Sequence, residues 1–404
     1  MFVSFVLFVI IRDPSSPRPI TRLLLGAIAW LFALAACTPI AGKSVSPITP
    51  TSPPDEPPSA PIRPRLAWFY KPPAEEQFDL VTTWYDFFIL TKGDEAVRDR
   101  LLASGEEGPI LEYFRFDAIY DPQSCTAQPW DNQVAYYPGD FCTISREHPD
   151  WFLTDAQGRR FYRAGESEGY VMMDPGNPGW RAFFLERLRE NMADANWGGV
   201  FLDNVEVTMA FREDRGEMPT QYPDEASYQE AVQGFLAYLR EGYFAHSSQV
   251  MFANLVARKD EVDWPAYLTY IDGAMHEGWA IDWPNGLRPV EVWEKQMSLA
   301  EYTQSIGKTI ILVSHGRREQ EDLQRFAYAS YLLVNQGRAF FRYAYAYNQV
   351  WLYENYALDL GEPLGPRERD GDFWQRAYTR GIVRVNPWTG EAVIQEISPN
   401  GRAP

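Results

Sequence analysis

The sequence predicts an α/β fold, a (β/α)8 barrel with a small C-terminal β appendage. Three observations lead there. Apolar strand-like runs alternate with helix-like stretches eight times between residues 65 and 360, the pattern of a closed parallel sheet covered by helices. The run Thr309-Ile310-Ile311-Leu312-Val313-Ser314-His315 has an apolar centre without alternation, as a strand buried on both faces requires. The run Trp197-Gly198-Gly199-Val200-Phe201-Leu202-Asp203-Asn204-Val205 ends an apolar strand on a carboxylate. Such a strand delivers an acid to the C-terminal rim, where barrels of this kind keep their reactive groups.

Taken in order, residues 65–71 form the first strand and 87–91 the second, with a helix over 94–103. Residues 109–114 form the third. A stretch dense in Asp, Gly, Pro and Trp follows over 117–171, and inserts this long are commonly functional loops. Asn177 is placed to cap a helix that opens on Pro178 and runs to about residue 195. The fourth strand is 199–204. A helix over 228–243 carries Phe235, Leu236 and Leu239 on one face. Strands follow at 250–254, within 271–277, at 309–315 and at 338–343, with helices at 290–305 and 319–335. Beyond the barrel, 379–387 and 391–394 flank Trp388-Thr389-Gly390 as a hairpin. Residues 65–360 are thus the barrel, and 361–404 a β segment packed on it.

The N-terminus stands apart from the fold. Arg18 and Arg22 precede an apolar run over 23–33, which ends in Leu34-Ala35-Ala36-Cys37. A charged start, an apolar middle and small residues before a cut make a secretory signal. The last four residues resemble a bacterial lipobox, which implies a lipoprotein signal over 1–37 and acylation of Cys37. The alternative is a plain signal or membrane anchor with a chance cysteine. Residues 38–64 are rich in Pro, Ser and Thr and form an extended linker. The expected location is outside the cell, anchored by lipid at the outer face of the bacterial membrane. Cys125 and Cys142 remain, and in an exported protein they pair as a disulfide; two free thiols are the alternative.

The chain has 404 residues and a formal net charge of -18. That surface repels phosphates, which argues against a nucleic-acid partner. Aromatic residues make up 15%, including 14 Trp and 23 Tyr. Their rings stack on sugar faces, and they also fill cores.

Two acids stand out. Asp203 ends the fourth strand, and Glu277 sits in Ala274-Met275-His276-Glu277-Gly278-Trp279 at the end of the sixth. Cleaving a glycosidic bond needs a proton donor for the leaving oxygen and a second carboxylate as nucleophile or base. By position Asp203 is the nucleophile or base and Glu277 the acid, with the reverse left open. The competing reading makes each a structural carboxylate. Asn204 orients Asp203 or meets a sugar hydroxyl, and Glu206 is a substrate or supporting residue. Lys71, Glu112, Asn254, His315 and Arg342 stand at other strand ends as hydroxyl-binding candidates. Trp279 offers a stacking face. Trp84, Tyr85, Trp130, Trp151 and Trp283 are further platforms, although core packing is the commoner role of such rings. No metal or organic cofactor is expected. The four His carry no metal-ligand spacing, and no phosphate-binding loop occurs.

The motifs Asp150-Trp151-Phe152-Leu153-Thr154-Asp155, Met173-Asp174-Pro175-Gly176-Asn177-Pro178-Gly179-Trp180 and Gly199 to Val205 carry a resemblance. So do His276-Glu277-Gly278-Trp279 and Gly381-Ile382-Val383-Arg384-Val385-Asn386-Pro387. Over residues 65–397 the chain resembles a hypothetical glycosyl hydrolase family of bacteria, of TIM-barrel type. It is distantly similar to the endo-α-1,4-polygalactosaminidases, which share an Asp at the end of strand four. The resemblance implies a barrel that hydrolyses glycosidic bonds in a polysaccharide or cell-surface glycan, with Asp203 among its acids. The alternative is a carbohydrate-binding lipoprotein on the same scaffold without catalysis, or a surface adhesion module.

Overall fold

A computed structural model describes residues 64–163, 169–209, 218–256, 264–283 and 285–397. The signal, Cys37 and nearly all of the linker lie outside these residues. Eight strands form the barrel: β1 Leu66–Phe69, β2 Tyr85–Leu90, β3 Ile110–Arg115, β4 Gly199–Glu206, β5 Val250–Val256, β6 Gly273–Glu277, β7 Thr309–His315 and β8 Ala339–Ala344. Each pairs in parallel with its neighbours in sequence, and β8 closes on β1 through Phe341 and Leu66. Helices fill the connections: α1 Phe78–Trp84, α2 Glu95–Ala103, α3 Asp140–Glu147, α4 Pro178–Met192, α5 Glu225–Gly242, α6 Trp264–Leu268, α7 Val290–Ser305 and α8 Glu321–Val334. The eightfold alternation in the sequence is therefore a closed (β/α)8 barrel. Among the described residues no helix is long and apolar enough to cross a membrane.

The strands bury both faces. Ala67, Phe69, Phe87, Ile89, Leu111, Tyr113, Phe201, Phe252, Met275, Ile311, Val313 and Phe340 fill the barrel interior, which makes it a packed core and not a pore. Their neighbours in sequence, such as Trp68, Phe88, Phe114, Leu202 and Leu312, pack in the larger core beneath the helices. This alternation decides which residue of each strand end faces the rim opening.

The long connection between β3 and β4 has its own structure. Ala118–Tyr120 pairs antiparallel with Tyr170–Met172, and a disulfide joins Cys125 to Cys142. At the start of α4 the Asn177 side chain accepts the amides of Gly179 and Trp180, and Pro178 takes the first helical position. There the first amides of a helix lack partners and a missing N–H costs nothing.

The C-terminal appendage is larger than a hairpin. It is a four-stranded antiparallel sheet of β9 Glu368–Asp370, β10 Phe373–Tyr378, β11 Gly381–Val385 and β12 Ala392–Glu396. The sheet closes off the C-terminal end of α8. Arg376 donates to the carbonyls of Leu332 at 3.0 Å and Asn335 at 2.7 Å, and the Tyr378 hydroxyl donates to Leu332 at 2.7 Å. Terminal carbonyls of a helix have no partner within the helix and carry its negative dipole end, so a buried guanidinium satisfies both needs.

Candidate active site

The rim chemistry begins with a break in β4. Its register with β5 shifts between Leu202 and Val205, and Asn204 sits at φ 58°, in the left-handed region that few non-glycine residues occupy. A bulge of this kind re-aims side chains beside a site. Asp203 and its neighbour Asn204 consequently both line one cleft, where an unbroken strand would send them to opposite faces.

Asp203 is held from three sides. Its Oδ2 accepts the Tyr113 hydroxyl at 2.5 Å and the Asn204 amide at 3.0 Å, and its Oδ1 accepts Nδ2 of Asn254 at 2.9 Å. Glu277 hangs over the same opening from the end of β6. Its Oε2 accepts that same Asn254 Nδ2 at 2.9 Å, and its Oε1 accepts the Tyr347 hydroxyl at 3.1 Å and lies 3.9 Å from Nε2 of His315. One amide nitrogen thus donates to both acids. Their facing oxygens are no more than twice 2.9 Å apart, or 5.8 Å, and roughly 5 Å apart for amide hydrogens that diverge at a planar nitrogen.

The electrostatics couple the two acids. Burial, followed by the charge of Glu277, raises the Asp203 carboxyl to about 6, against the opposing pull of Tyr113 and Asn254. Burial also pushes Glu277 up, but His315, Asn254 and Tyr347 more than offset it and hold its carboxyl below the ordinary range. The nearby tyrosines stay protonated. Tyr70 and Tyr347 are raised by burial first and then by the two carboxylates, and Tyr113 by burial and then by Asp203.

The cleft has a volume of about 750 Å³, within the range of small-molecule sites. Tyr70, Tyr113, Asp203, Asn204, Glu277 and Tyr347 line it together with Lys71, residues 91–94, Trp130, Asp131, Asn132 and Arg163. Tyr70 is also left-handed, at φ 74°. Backbone strain of this sort gathers at functional sites.

Several expected residues meet here. Lys71 and Asn204 line the cleft, Asn254 bridges the acids, and His315 flanks Glu277. Glu206 is buried and accepts Nη1 of Arg163 at 2.6 Å, so it steadies a cleft residue without facing the cleft. Three expectations are corrected. Glu112 is fully buried on the opposite face of β3, because Leu111 and Tyr113 take the inward positions. Trp279 is also fully buried, and its indole nitrogen donates to the Ala327 carbonyl of α8 at 3.1 Å, so it packs strand to helix and offers no sugar face. Arg342 is 2% exposed, and its Nη2 donates to the carbonyls of Tyr347 at 3.1 Å and Gln349 at 2.7 Å. It fixes the loop that delivers Tyr347. Of the aromatic platforms, Trp151 belongs to the core, whereas Trp130 is exposed in the cleft. Tyr70, Tyr113, Tyr347 and Arg163 were not singled out by the sequence.

The displaced Glu112 has a measurable cost. Neither of its oxygens has a hydrogen-bond partner among the described residues, and burial raises its carboxyl to about 8, only partly countered by Lys92. An acid raised on folding favours the fold below its unfolded value and loses that contribution as pH climbs through the folded value. Glu112→Gln is therefore expected to gain stability over the parent between pH 5 and pH 8, on the order of a few kcal/mol. Urea midpoints at the two pH values check this; an equal difference at both would refute it.

The sequence profile of hypothetical glycosyl hydrolase family 15 matches residues 110–382. The chain belongs to this family. The match runs from the start of β3 into β11 and includes both Asp203 and Glu277, and the enzyme is accordingly a glycoside hydrolase. No curated protein matches the hydrolase in sequence. Among solved structures it is similar to the glycoside hydrolase domain of PelA from Pseudomonas aeruginosa, with 16% identity over 72% of this chain and 97% of that one and a TM-score of 0.46. Ega3 from Aspergillus fumigatus, solved with galactosamine, shows 12% identity over 72% and 93% of the two chains, with a TM-score of 0.43. An α-galactosidase from Thermus thermophilus shows 14% identity over 82% and 66%, with a TM-score of 0.44.

Proposed function

We propose that this glycoside hydrolase cleaves O-glycosidic bonds in a polysaccharide or cell-surface glycan, using Asp203 and Glu277 with retention of anomeric configuration. The observation that carries the reading is the single Asn254 nitrogen bonded to both carboxylates. Retaining enzymes hold their two carboxyl groups about 5–5.5 Å apart, and inverting enzymes about 6.5–9.5 Å apart, to admit a water.

Asp203 is the nucleophile. Its oxygens accept three neutral donors, which favour the anion against the burial that raises it. Glu277 is the acid and base. Its side chain is 31% exposed, so it exchanges protons with water between the two half-reactions. First an Asp203 oxygen bonds to the anomeric carbon as the bond to the leaving sugar breaks, and the Glu277 proton passes to the departing oxygen. Water then attacks the same carbon, gives a proton to Glu277, and the bond to Asp203 breaks. The raised Asp203 and the lowered Glu277 favour the proton on Asp203 before reaction. Bond cleavage reverses this order, because the positive charge that grows at the anomeric carbon in the transition state favours ionised Asp203 while the leaving oxygen takes its proton from Glu277. The scheme uses no metal or organic cofactor.

Export and a lipid anchor at Cys37 are part of the same proposal. They are supported by Leu34-Ala35-Ala36-Cys37 and by the disulfide, a bond that persists in oxidising compartments. Palmitate labelling of the chain in a bacterial host, abolished by Cys37→Ser, is the expected result; labelling that survives the substitution would remove the anchor.

Reducing-sugar release from neutral, acidic and amino polysaccharides tests the activity. Release by the parent that is lost in both Asp203→Asn and Glu277→Gln supports the assignment. Release that survives either change refutes it. Sugar binding with no release by the parent would favour a binding protein instead.

A further inference from the structure

One part of the cleft has no role in bond cleavage. Trp130 is 61% exposed, more than any other described tryptophan, yet it lines the same cleft as Asp203 and Glu277. A large ring left in water at a concave site is the informative case; scattered exposed apolar residues are not. Its backbone is also fixed. The Cys125–Cys142 disulfide closes the segment, the Asn132 carbonyl accepts the Arg115 amide at 2.8 Å, and the Tyr120 amide donates to Gln133 at 2.7 Å. The loop after β2 comes close on the other side, where a Cβ at Gly93 would stand 3.8 Å from Oδ2 of Asp131. The result is a flat apolar face with polar groups at its edge, on a rigid support. A pyranose ring presents the same pairing of an apolar face and polar rim, and aromatic faces suit such contacts at little entropic cost.

We propose that Trp130 forms a sugar subsite removed from the scissile bond, so that the substrate is a chain of several sugars with one unit seated on the indole. This rests on the glycosidase reading. Glu277, Tyr347 and Asp203 line the same cleft as residues 91–94 and Trp130, so one substrate chain can meet both groups. Free energy from a sugar on Trp130 then holds the substrate in register with the two acids.

The test is a chain-length series prepared from the polysaccharide that the parent hydrolyses best. It compares the parent with Trp130→Ala, Trp130→Phe and Trp388→Ala, the last altering an exposed ring in the turn between β11 and β12. For the parent, kcat/KM rises with chain length. In Trp130→Ala that rise is lost, leaving the longest substrate about 10–30-fold below the parent, mainly through KM. Trp130→Phe recovers part of the rise, and Trp388→Ala behaves as the parent does. A Trp130→Ala enzyme that keeps the full rise overturns the subsite and leaves the glycosidase intact. A loss matched by a fall in melting temperature, with no recovery in Trp130→Phe, also overturns it. A parent that hydrolyses nothing overturns both readings.

Discussion

Asp203→Asn is expected to lower kcat/KM by about 10⁴-fold or more while leaving the protein folded, the order of loss seen when a covalent nucleophile is removed. The change is nearly isosteric. An Asn at this position still accepts the Tyr113 hydroxyl, so the local packing survives. What disappears is a negative charge within 5.8 Å of Glu277, and with it the atom that bonds to the anomeric carbon. Removing one of two like charges relieves repulsion in a buried site, so the melting temperature should equal or exceed that of the parent. The pairing of those two results is what matters. Lost activity with lost stability would make Asp203 a structural residue, whereas lost activity with unchanged or higher stability places it in the chemistry. In a nucleophile variant, azide attacks the sugar directly and any product carries inverted configuration.

Glu277→Ala should separate substrates by their leaving groups. Cleavage of an unactivated sugar falls about 10²–10⁴-fold, the usual contribution of a positioned proton donor. Aryl glycosides, whose leaving groups need no proton, fall far less in the first half-reaction. Azide fills the space vacated by the carboxyl and restores turnover, giving a glycosyl azide of retained configuration. Were the two roles exchanged, the retained azide would come from the Asp203 variant instead. The parent needs one proton on the pair. Its kcat/KM therefore declines as pH rises through about 6, where Asp203 takes up or loses that proton, and declines again in stronger acid when both carboxyls are protonated. On aryl glycosides the alkaline decline should vanish in Glu277→Ala, because no proton has to be delivered. A decline that persists unchanged would detach it from the pair.

The positions of the two acids were legible because each follows an apolar run, and a parallel strand carries its C-terminal residues to the rim, although β4 continues beyond Asp203 to Glu206. The face of β3 was not legible. Ile110, Leu111, Tyr113 and Phe114 are apolar on both sides of Glu112, and a strand buried on both faces gives no alternation to fix its phase. The acid was therefore placed one position away from the Tyr113 that reaches the site. Asn204 was placed at the rim, but the bulge that brings it beside Asp203 depends on a left-handed residue that is not glycine, which no turn motif announces. Tyr347 was invisible for a different reason. It lies beyond β8, and its position depends on Arg342 gripping backbone carbonyls, a contact that leaves no trace in side-chain spacing. The C-terminal hairpin was found because β11 alternates and a turn joins it to β12, while β9 is short and fully exposed and β10 sets Gln375 and Arg376 between aromatic residues, which conceals a strand.

The shared amide of Asn254 has an implication for how this hydrolase could diversify. Strand β5 lies between the strands that bear the acids, yet it contributes neither of them and acts as the spacer that joins them. In the proposed scheme the gap between the two acids is thereby set by a residue that takes no part in the bond cleavage. A shorter side chain there would release both carboxyls at once and open room between them for a solvent molecule. The choice between a covalent intermediate and direct attack by water would then turn on one neutral position, so that a lineage could change the handedness of its product while keeping every reactive group it had.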